Sequence, residues 1–206
     1  MTRAKICGIT RVEDGLAAAR AGADAIGLVF HDRSPRHVEG TQAAAIVAAL
    51  PPFVTSVALF VNPAASEVET VLRRVRPDIL QFHGEETPEF CGSFAVPYLK
   101  AARVRPGIDL LQFAALYADA RGLLLDAWSE DAQGGTGECF DWALIPRGLP
   151  RPVILAGGLT PANVAQAIHA VRPWAVDVSS GVEAGKGIKD AAKIAAFMKE
   201  IRHADV

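Results

Sequence analysis

Short β-branched and apolar runs alternate with amphipathic runs rich in Ala, Leu and charge from one end of the chain to the other, and this strict alternation narrows the possible folds more than any other feature. Strands that are always separated by helices run parallel and connect through right-handed crossovers. The pattern predicts strands over 4–9, 25–30, 55–61, 79–82, 97–101, 122–126, 152–155 and 175–178. It predicts helices over 12–21, 41–50, 65–75, 88–93, 110–118, 142–145, 161–171 and 191–201. Eight units of about 25 residues suit closure into a (β/α)8 barrel, the TIM barrel of the α/β class, better than a doubly wound open sheet. A weak internal echo supports regular units: Val75-Arg76-Pro77-Asp78 precedes the fourth strand and Val171-Arg172-Pro173-Trp174 the eighth. In both, proline ends a helix and sets up the next strand. No linker or change of composition divides the chain, so residues 1–206 read as one catalytic domain.

The chain of 206 residues is 50% hydrophobic and 21% charged, as expected of a globular domain with a sizeable core. A formal net charge of −2 and the lack of any Lys/Arg block speak against a nucleic-acid partner. Apolar stretches are too short to span a bilayer, which speaks against a membrane. The run after Met1-Thr2-Arg3 is broken by Lys5 and Gly8, so it does not read as a secretory signal. Cys7, Cys91 and Cys139 form neither a disulfide framework nor a C-x-x-C zinc pair. The expectation is a reduced, cytoplasmic protein, working as a monomer or homodimer.

In such a barrel, chemistry gathers where strands end and βα loops begin. Polar residues in otherwise apolar strand ends are therefore informative: Lys5 and Cys7, Gln81 and His83, Asp126, and Asp177 with Ser179. A spacing of two puts both members of a pair on one side of a strand, so residues far apart in sequence can converge on one mouth. Cys7 taken alone also fits a small buried hydrophobe. Asp126 closes Gly122-Leu123-Leu124-Leu125, where a buried carboxylate needs either a task or a structural partner. Gln81 and His83 are expected to shape the substrate pocket, and Lys5, Lys100 and Asp177 to form an interior structural network. Arg36, in Ser34-Pro35-Arg36-His37, fits either a ligand contact or a solvated surface charge. Gly157 and Gly158 follow the seventh strand, with Thr160-Pro161 opening the next helix as cap and first residue. Ser180 and Gly181 follow the eighth. Glycine-rich loops after strands seven and eight are the usual phosphate cradle of this fold, because backbone N–H groups can approach an anion there.

These positions together resemble the phosphoribosylanthranilate isomerase family. The matching segments are Lys5-Ile6-Cys7-Gly8-Ile9-Thr10, Gly22-Ala23-Asp24, Ser34-Pro35-Arg36, Leu80-Gln81-Phe82-His83-Gly84-Glu85, Leu125-Asp126, Gly134-Gly135-Thr136-Gly137 with Phe140-Asp141-Trp142, Ala156-Gly157-Gly158-Leu159, and Asp177-Val178-Ser179-Ser180-Gly181-Val182-Glu183. They run from the first strand to the last. The resemblance implies an Amadori rearrangement of N-(5-phosphoribosyl)anthranilate in tryptophan biosynthesis, without metal or organic cofactor, with Asp126 as acid, Cys7 as base and Arg36 on the anthranilate carboxylate. An acid must hold its proton near neutral pH, which partial desolvation favours. Free cysteine, with a reference pKa of about 8.5, needs only a modest favourable field to serve as a base. A departure lies at Lys186-Gly187-Ile188-Lys189-Asp190, where the family often shows Pro-Gly-x-Lys-Asp; loss of the proline is expected to loosen that loop, and Lys186 to come within reach of the phosphate. The Gly-rich segment 127–139 is expected to close over substrate.

Three rivals remain in view. A histidine-pathway isomerase performs the same rearrangement with a carboxylate at the end of strand one, where this chain has Cys7. A metal-dependent phosphosugar epimerase needs a His- and Asp-rich ligand set. A non-catalytic phosphate-binding barrel has no need for both Cys7 and Asp126.

Overall fold

The computed structural model describes residues 1–127 and 141–205. Eight parallel strands hydrogen-bond in chain order and close on themselves: β1 (Arg3–Cys7), β2 (Ala25–Val29), β3 (Thr55–Phe60), β4 (Ile79–Phe82), β5 (Tyr98–Val104), β6 (Gly122–Ala127), β7 (Val153–Leu155) and β8 (Ala175–Val178). The seam is β8 against β1, with Lys5 opposite Asp177 in register. Around the barrel lie α1 (Val12–Ala21), α2 (Gly40–Ala49), α3 (Ala65–Arg74), α4 (Pro88–Gly92), α5 (Leu110–Leu116), α6 (Val164–Val171) and α7 (Ala191–Ala204). The alternating pattern thus translated into the expected closed barrel.

Local chemistry explains where the helices begin and end. Thr87, Asp109 and Asp190 accept hydrogen bonds from first-turn amides of α4, α5 and α7. Gly22 ends α1 at φ 95°, a left-handed turn that glycine adopts without strain. The echoed Val-Arg-Pro segments share a geometry as well as a sequence. Arg76 and Arg172 are both left-handed, at φ 54° and 51°, so each reverses the chain before proline blocks further helix.

Four details differ from the sequence pattern. β5 runs on to Val104, because Arg103 continues the strand's alternation although its charge interrupts the apolar run. α6 starts at Val164 rather than at Pro161; Asn163 bonds back to Gly158 O and Thr160 N, and Thr160 Oγ caps Ala162 N, so residues 161–163 form a tight turn instead. The sixth unit has only a 3₁₀ turn, Trp142–Leu144, leaving seven α-helices among the described residues. Finally, the loop after β8 folds into a small hairpin of β9 (Glu183–Gly185) and β10 (Ile188–Lys189).

The core has two parts. Residues on the outer faces of the strands pack against the helices in one continuous apolar layer that includes Ile6, Leu28, Phe60, Phe82, Leu123, Leu125, Val176 and Phe197. Inside the barrel, Leu99, Ala101, Leu124, Ile154, Ala156 and Ala175 pack as one apolar cluster, and Cys7, Val29 and Leu59 as another. This alternation corrects the expectation for Lys100. It lies between the inward-facing Leu99 and Ala101, on the outer face of β5, where its Nζ donates to Glu86 Oε2 at 2.7 Å and Gly84 O at 2.6 Å. It is not part of a network with Lys5 and Asp177.

At the end opposite the mouth, two aspartates tie a turn to the strand before it. Asp24 accepts from Ala4 N, and Asp78 accepts from both Ser56 N at 2.8 Å and Ser56 Oγ at 2.6 Å. Asp78→Ala removes both bonds far from the mouth. It should lower stability by roughly 1–2 kcal/mol in urea titration, with turnover at 25 °C unchanged.

Candidate active site

β1 and β8 place Lys5, Cys7 and Asp177 inside the barrel. Lys5 Nζ bonds Asp177 Oδ1 at 2.7 Å with both side chains buried. Burial works against the Lys5 ammonium, but Asp177 and the neighbouring thiol outweigh it, and Lys5 stays charged well above the ordinary lysine range. Cys7 lies next along the same face, 6% exposed. Burial pushes its thiol up, and the pull of Lys5 and Lys189 in the opposite direction does not cancel that. Burial thus favours the neutral thiol of Cys7, against the modest favourable field that a thiolate base needs. Room for the sulfur comes from Gly27, its register partner on β2: a Cβ there would stand 2.7 Å from Cys7 Sγ and 3.2 Å from Lys5 Cε.

Across the mouth, β4 and β6 bring Gln81, His83 and Asp126 into one chain. Gln81 Nε2 lies 3.1 Å from His83 Nδ1, and His83 Nε2 lies 3.1 Å from Asp126 Oδ2. Gln81 is fully buried and Asp126 is 7% exposed. Arg103 of β5 is the register partner of Asp126 and lines, with His83 and Arg105, a pocket of about 610 Å³ beside the mouth.

The loops add a second charged group. Arg36 is not a solvated surface charge: its Nε and Nη2 bond both carboxylate oxygens of Glu183, at 2.7 and 2.9 Å. Lys189 Nζ reaches the same carboxylate at 2.8 Å and also Ser179 O at 3.1 Å. Burial alone would push Glu183 up, but the bonds from Arg36 and Lys189 win and hold it below the usual carboxylate range. Gly8, at φ 74°, leaves space for the Arg36 stem, whose Cδ would be 2.5 Å from any Cβ there. Gly157 and Gly158 have φ of 86° and 65°, and a Cβ on Gly181 would overlap the Leu159 carbonyl oxygen, so the two glycine loops pack against each other. Ser180 opens the 3₁₀ turn Ser180–Val182 beside them. The loop without proline is tied down rather than loose: Thr10 Oγ donates to Gly187 O, and Lys189 N to Asp14 Oδ2. Lys186 is exposed at the hairpin turn. Segment 128–140, with its expected closure and Cys139, lies outside the described residues.

Residues 4–200 match the model of the family described as N-(5'-phosphoribosyl)anthranilate (PRA) isomerase. The chain belongs to that family. It is 61% identical over 201 residues to the N-(5'-phosphoribosyl)anthranilate isomerase of Pseudomonas fluorescens, covering 98% of this chain and 96% of the relative. The crystal structure of phosphoribosyl anthranilate isomerase from Thermotoga maritima superposes with a TM-score of 0.90 at 41% identity, covering 98% of this chain and 100% of that one. A phosphoribosyl anthranilate isomerase in complex with reduced 1-(o-carboxyphenylamino)-1-deoxyribulose 5-phosphate gives a TM-score of 0.86 at 40% identity, over 98% and 100% of the two chains. The activity is accordingly that of an aldose–ketose isomerase of tryptophan biosynthesis.

Sequence reasoning gathered Cys7, Asp126, Gln81, His83, Arg36 and the glycine loops, and the fold brings them all to one end of the barrel. It missed Gly27, and it noted Glu183 and Lys189 only as parts of motifs. A glycine inside an apolar strand was the available signal for Gly27; Glu183 and Lys189 acquire meaning only through Arg36, which is 147 residues from Glu183. Gly27→Ala should displace the Cys7 sulfur while leaving the barrel folded. Turnover should fall by about tenfold or more with an unchanged circular dichroism spectrum, since a misplacement of about 1 Å costs up to ~10² in rate. Wild-type turnover in this variant would mean that the position of Cys7 does not matter.

Proposed function

We propose that Asp126 is the general acid and Cys7 the general base of the rearrangement. Asp126 gives its proton to the furanose ring oxygen; the C1–O bond breaks and C1=N forms as an iminium. Cys7 then removes the C2 proton, made acidic by the adjacent iminium, and the electron pair left behind forms the C1=C2 enolamine. Protonation at C1 and loss of the C2 hydroxyl proton give the ketone. The observation that carries this assignment is that the two buried groups face one mouth from opposite sides, β1 and β6.

Arg36 supplies a planar fork for the anthranilate carboxylate. Its bidentate partner in the free enzyme, Glu183, orients the guanidinium and keeps it charged. The phosphate lies against the backbone of Gly157, Gly158, Ser180 and Gly181, opened by their left-handed and close-packed geometry. All these groups come from one chain, so the site functions equally in a monomer or a homodimer. The phosphorylated substrate is a small molecule, and no nucleic acid is involved. Among the described residues no helix is long and apolar enough to cross a membrane. No three His, Cys, Asp or Glu side chains among them gather as a metal site.

Two experiments test these roles. Cys7→Ala and Asp126→Asn should each fold and lose at least ~10²-fold in turnover, the usual lower worth of a positioned acid or base. They should differ in kind: exchange of the C2 proton with solvent stops without Cys7, whereas ring opening itself becomes rare without Asp126. A well-folded Cys7→Ala with near wild-type turnover would remove the thiol from the mechanism. Separately, inorganic phosphate should raise the melting temperature, with about 2.7 kcal/mol of stabilisation at 100 times its Kd. A flat titration would take the glycine loops out of the phosphate site.

A further inference from the structure

The Gln81 carboxamide has an unusual balance of bonds. Its nitrogen meets His83 Nδ1, while its oxygen is buried without a donor among the described residues. An unpaired buried acceptor is a cost that a core position would normally shed by substitution with an apolar residue. What the cost maintains is visible in the next bond. A carboxamide N–H donating to Nδ1 makes that nitrogen an acceptor, so the ring proton must be on Nε2, where it donates to Asp126 Oδ2.

The reverse arrangement is not productive. With the carboxamide turned round, Nδ1 would carry the proton and a bare Nε2 would face Asp126 Oδ2. Two acceptors repel unless the carboxyl proton lies between them, and a proton bonded to His83 is not aimed at substrate.

We propose that Gln81 and His83 are positioning residues for the acid: Gln81 fixes the Nε2–H tautomer of His83, and His83 commits Asp126 Oδ2 so that the transferable proton is carried on Oδ1. The idea rests on Asp126 being the acid. When Oδ1 gives its proton to the ring oxygen, the negative charge left on the carboxylate is met at once by the Nε2–H donor. No proton crosses His83, so the step stays balanced between Asp126 and substrate. Among the described residues, the strands turn Arg103 from β5, Lys5 and Cys7 from β1, and Asp177 from β8 toward this space, Arg105 lines the adjoining pocket, and β2, β3 and β7 present Val29, Leu59 and Ala156.

The test combines a spectroscopic and a kinetic readout. Gln81→Met keeps the volume and removes the donor; His83→Gln keeps an N–H within reach of Oδ2, whereas His83→Leu does not. In ¹⁵N-histidine spectra, the His83 signal, assigned by its loss in His83→Gln, should show the Nε2–H tautomer in the wild type at neutral pH and lose that preference in Gln81→Met. Turnover should fall by about tenfold in Gln81→Met, with KM changed by less than about threefold, because only the acid step is affected. His83→Gln should retain at least about ten times the turnover of His83→Leu. In an Asp126→Asn background, His83→Leu should cost less than about twofold more, since both act on one step. An Nδ1–H tautomer in the wild type, or equal turnover of His83→Gln and His83→Leu, overturns the proposal while leaving Asp126 as acid. Full turnover in Asp126→Asn alone overturns the assignment of the acid itself.

Discussion

Where the barrel closes, a buried ion pair joins its first strand to its last. Lys5 and Asp177 are register neighbours on β1 and β8, 172 residues apart and 2.7 Å from each other. Either charge alone in that interior would be unstable; removing one partner of such a pair typically costs about 3–5 kcal/mol. Together they define the register of the seam, because a slip of one residue would turn one of them toward the helices and leave the other without its partner. The same register turns Cys7 into the barrel above Lys5. Closure of the fold and placement of the thiol therefore depend on one interaction, and Gly27 is needed because the space beside it is already taken by the Lys5 stem and the sulfur.

A second charged group performs a similar service for the loops. Glu183 receives Arg36 on one side and Lys189 on the other, and Lys189 is itself held to Ser179 and Asp14. The loop after β2 and the β9–β10 hairpin thus meet on one carboxylate, and Asp14 ties the hairpin to α1. The guanidinium is held in orientation before any ligand arrives, which reduces the ordering cost of binding a carboxylate. The glycines at positions 8 and 181 are the steric counterpart, since a side chain at either would drive the β1, β7 and β8 loops apart.

Most of this fold was legible because a parallel barrel repeats one simple pattern. Apolar strand ends and amphipathic helices gave α1, β4 and β8 their observed bounds, and spacing-two pairs identified Cys7 and Gln81 as facing inward. What was not legible depends on partners. The side of β5 on which Lys100 lies follows from the strand's alternation, and a lone lysine in an apolar run fits either face until its partner Glu86, in the loop after β4, is known. Thr160-Pro161 carries every local sign of a helix start, yet Asn163 finds Gly158 O and delays the helix by a turn. The β9–β10 hairpin is too short for any periodicity to register. His83 was expected at the substrate pocket, and its bond to Asp126 arises because β4 and β6 lie on either side of β5.

The state of Cys7 bears on the order of events in the proposed mechanism. A thiol that burial holds protonated is a poor base toward a neutral sugar. Its surroundings already contain Lys5 and Lys189, whose attraction for a thiolate is outweighed by desolvation and by Asp177. One added positive charge nearby would shift that balance toward the thiolate. In the proposed mechanism the reaction generates such a charge itself: protonation of the ring oxygen, assigned to Asp126, produces an iminium next to the C2–H bond assigned to Cys7. On this account the base becomes competent only after the acid has acted, and the thiol does not abstract a proton before ring opening. Burial of Cys7, which at first sight opposes its role, then imposes sequence on two groups that share one mouth.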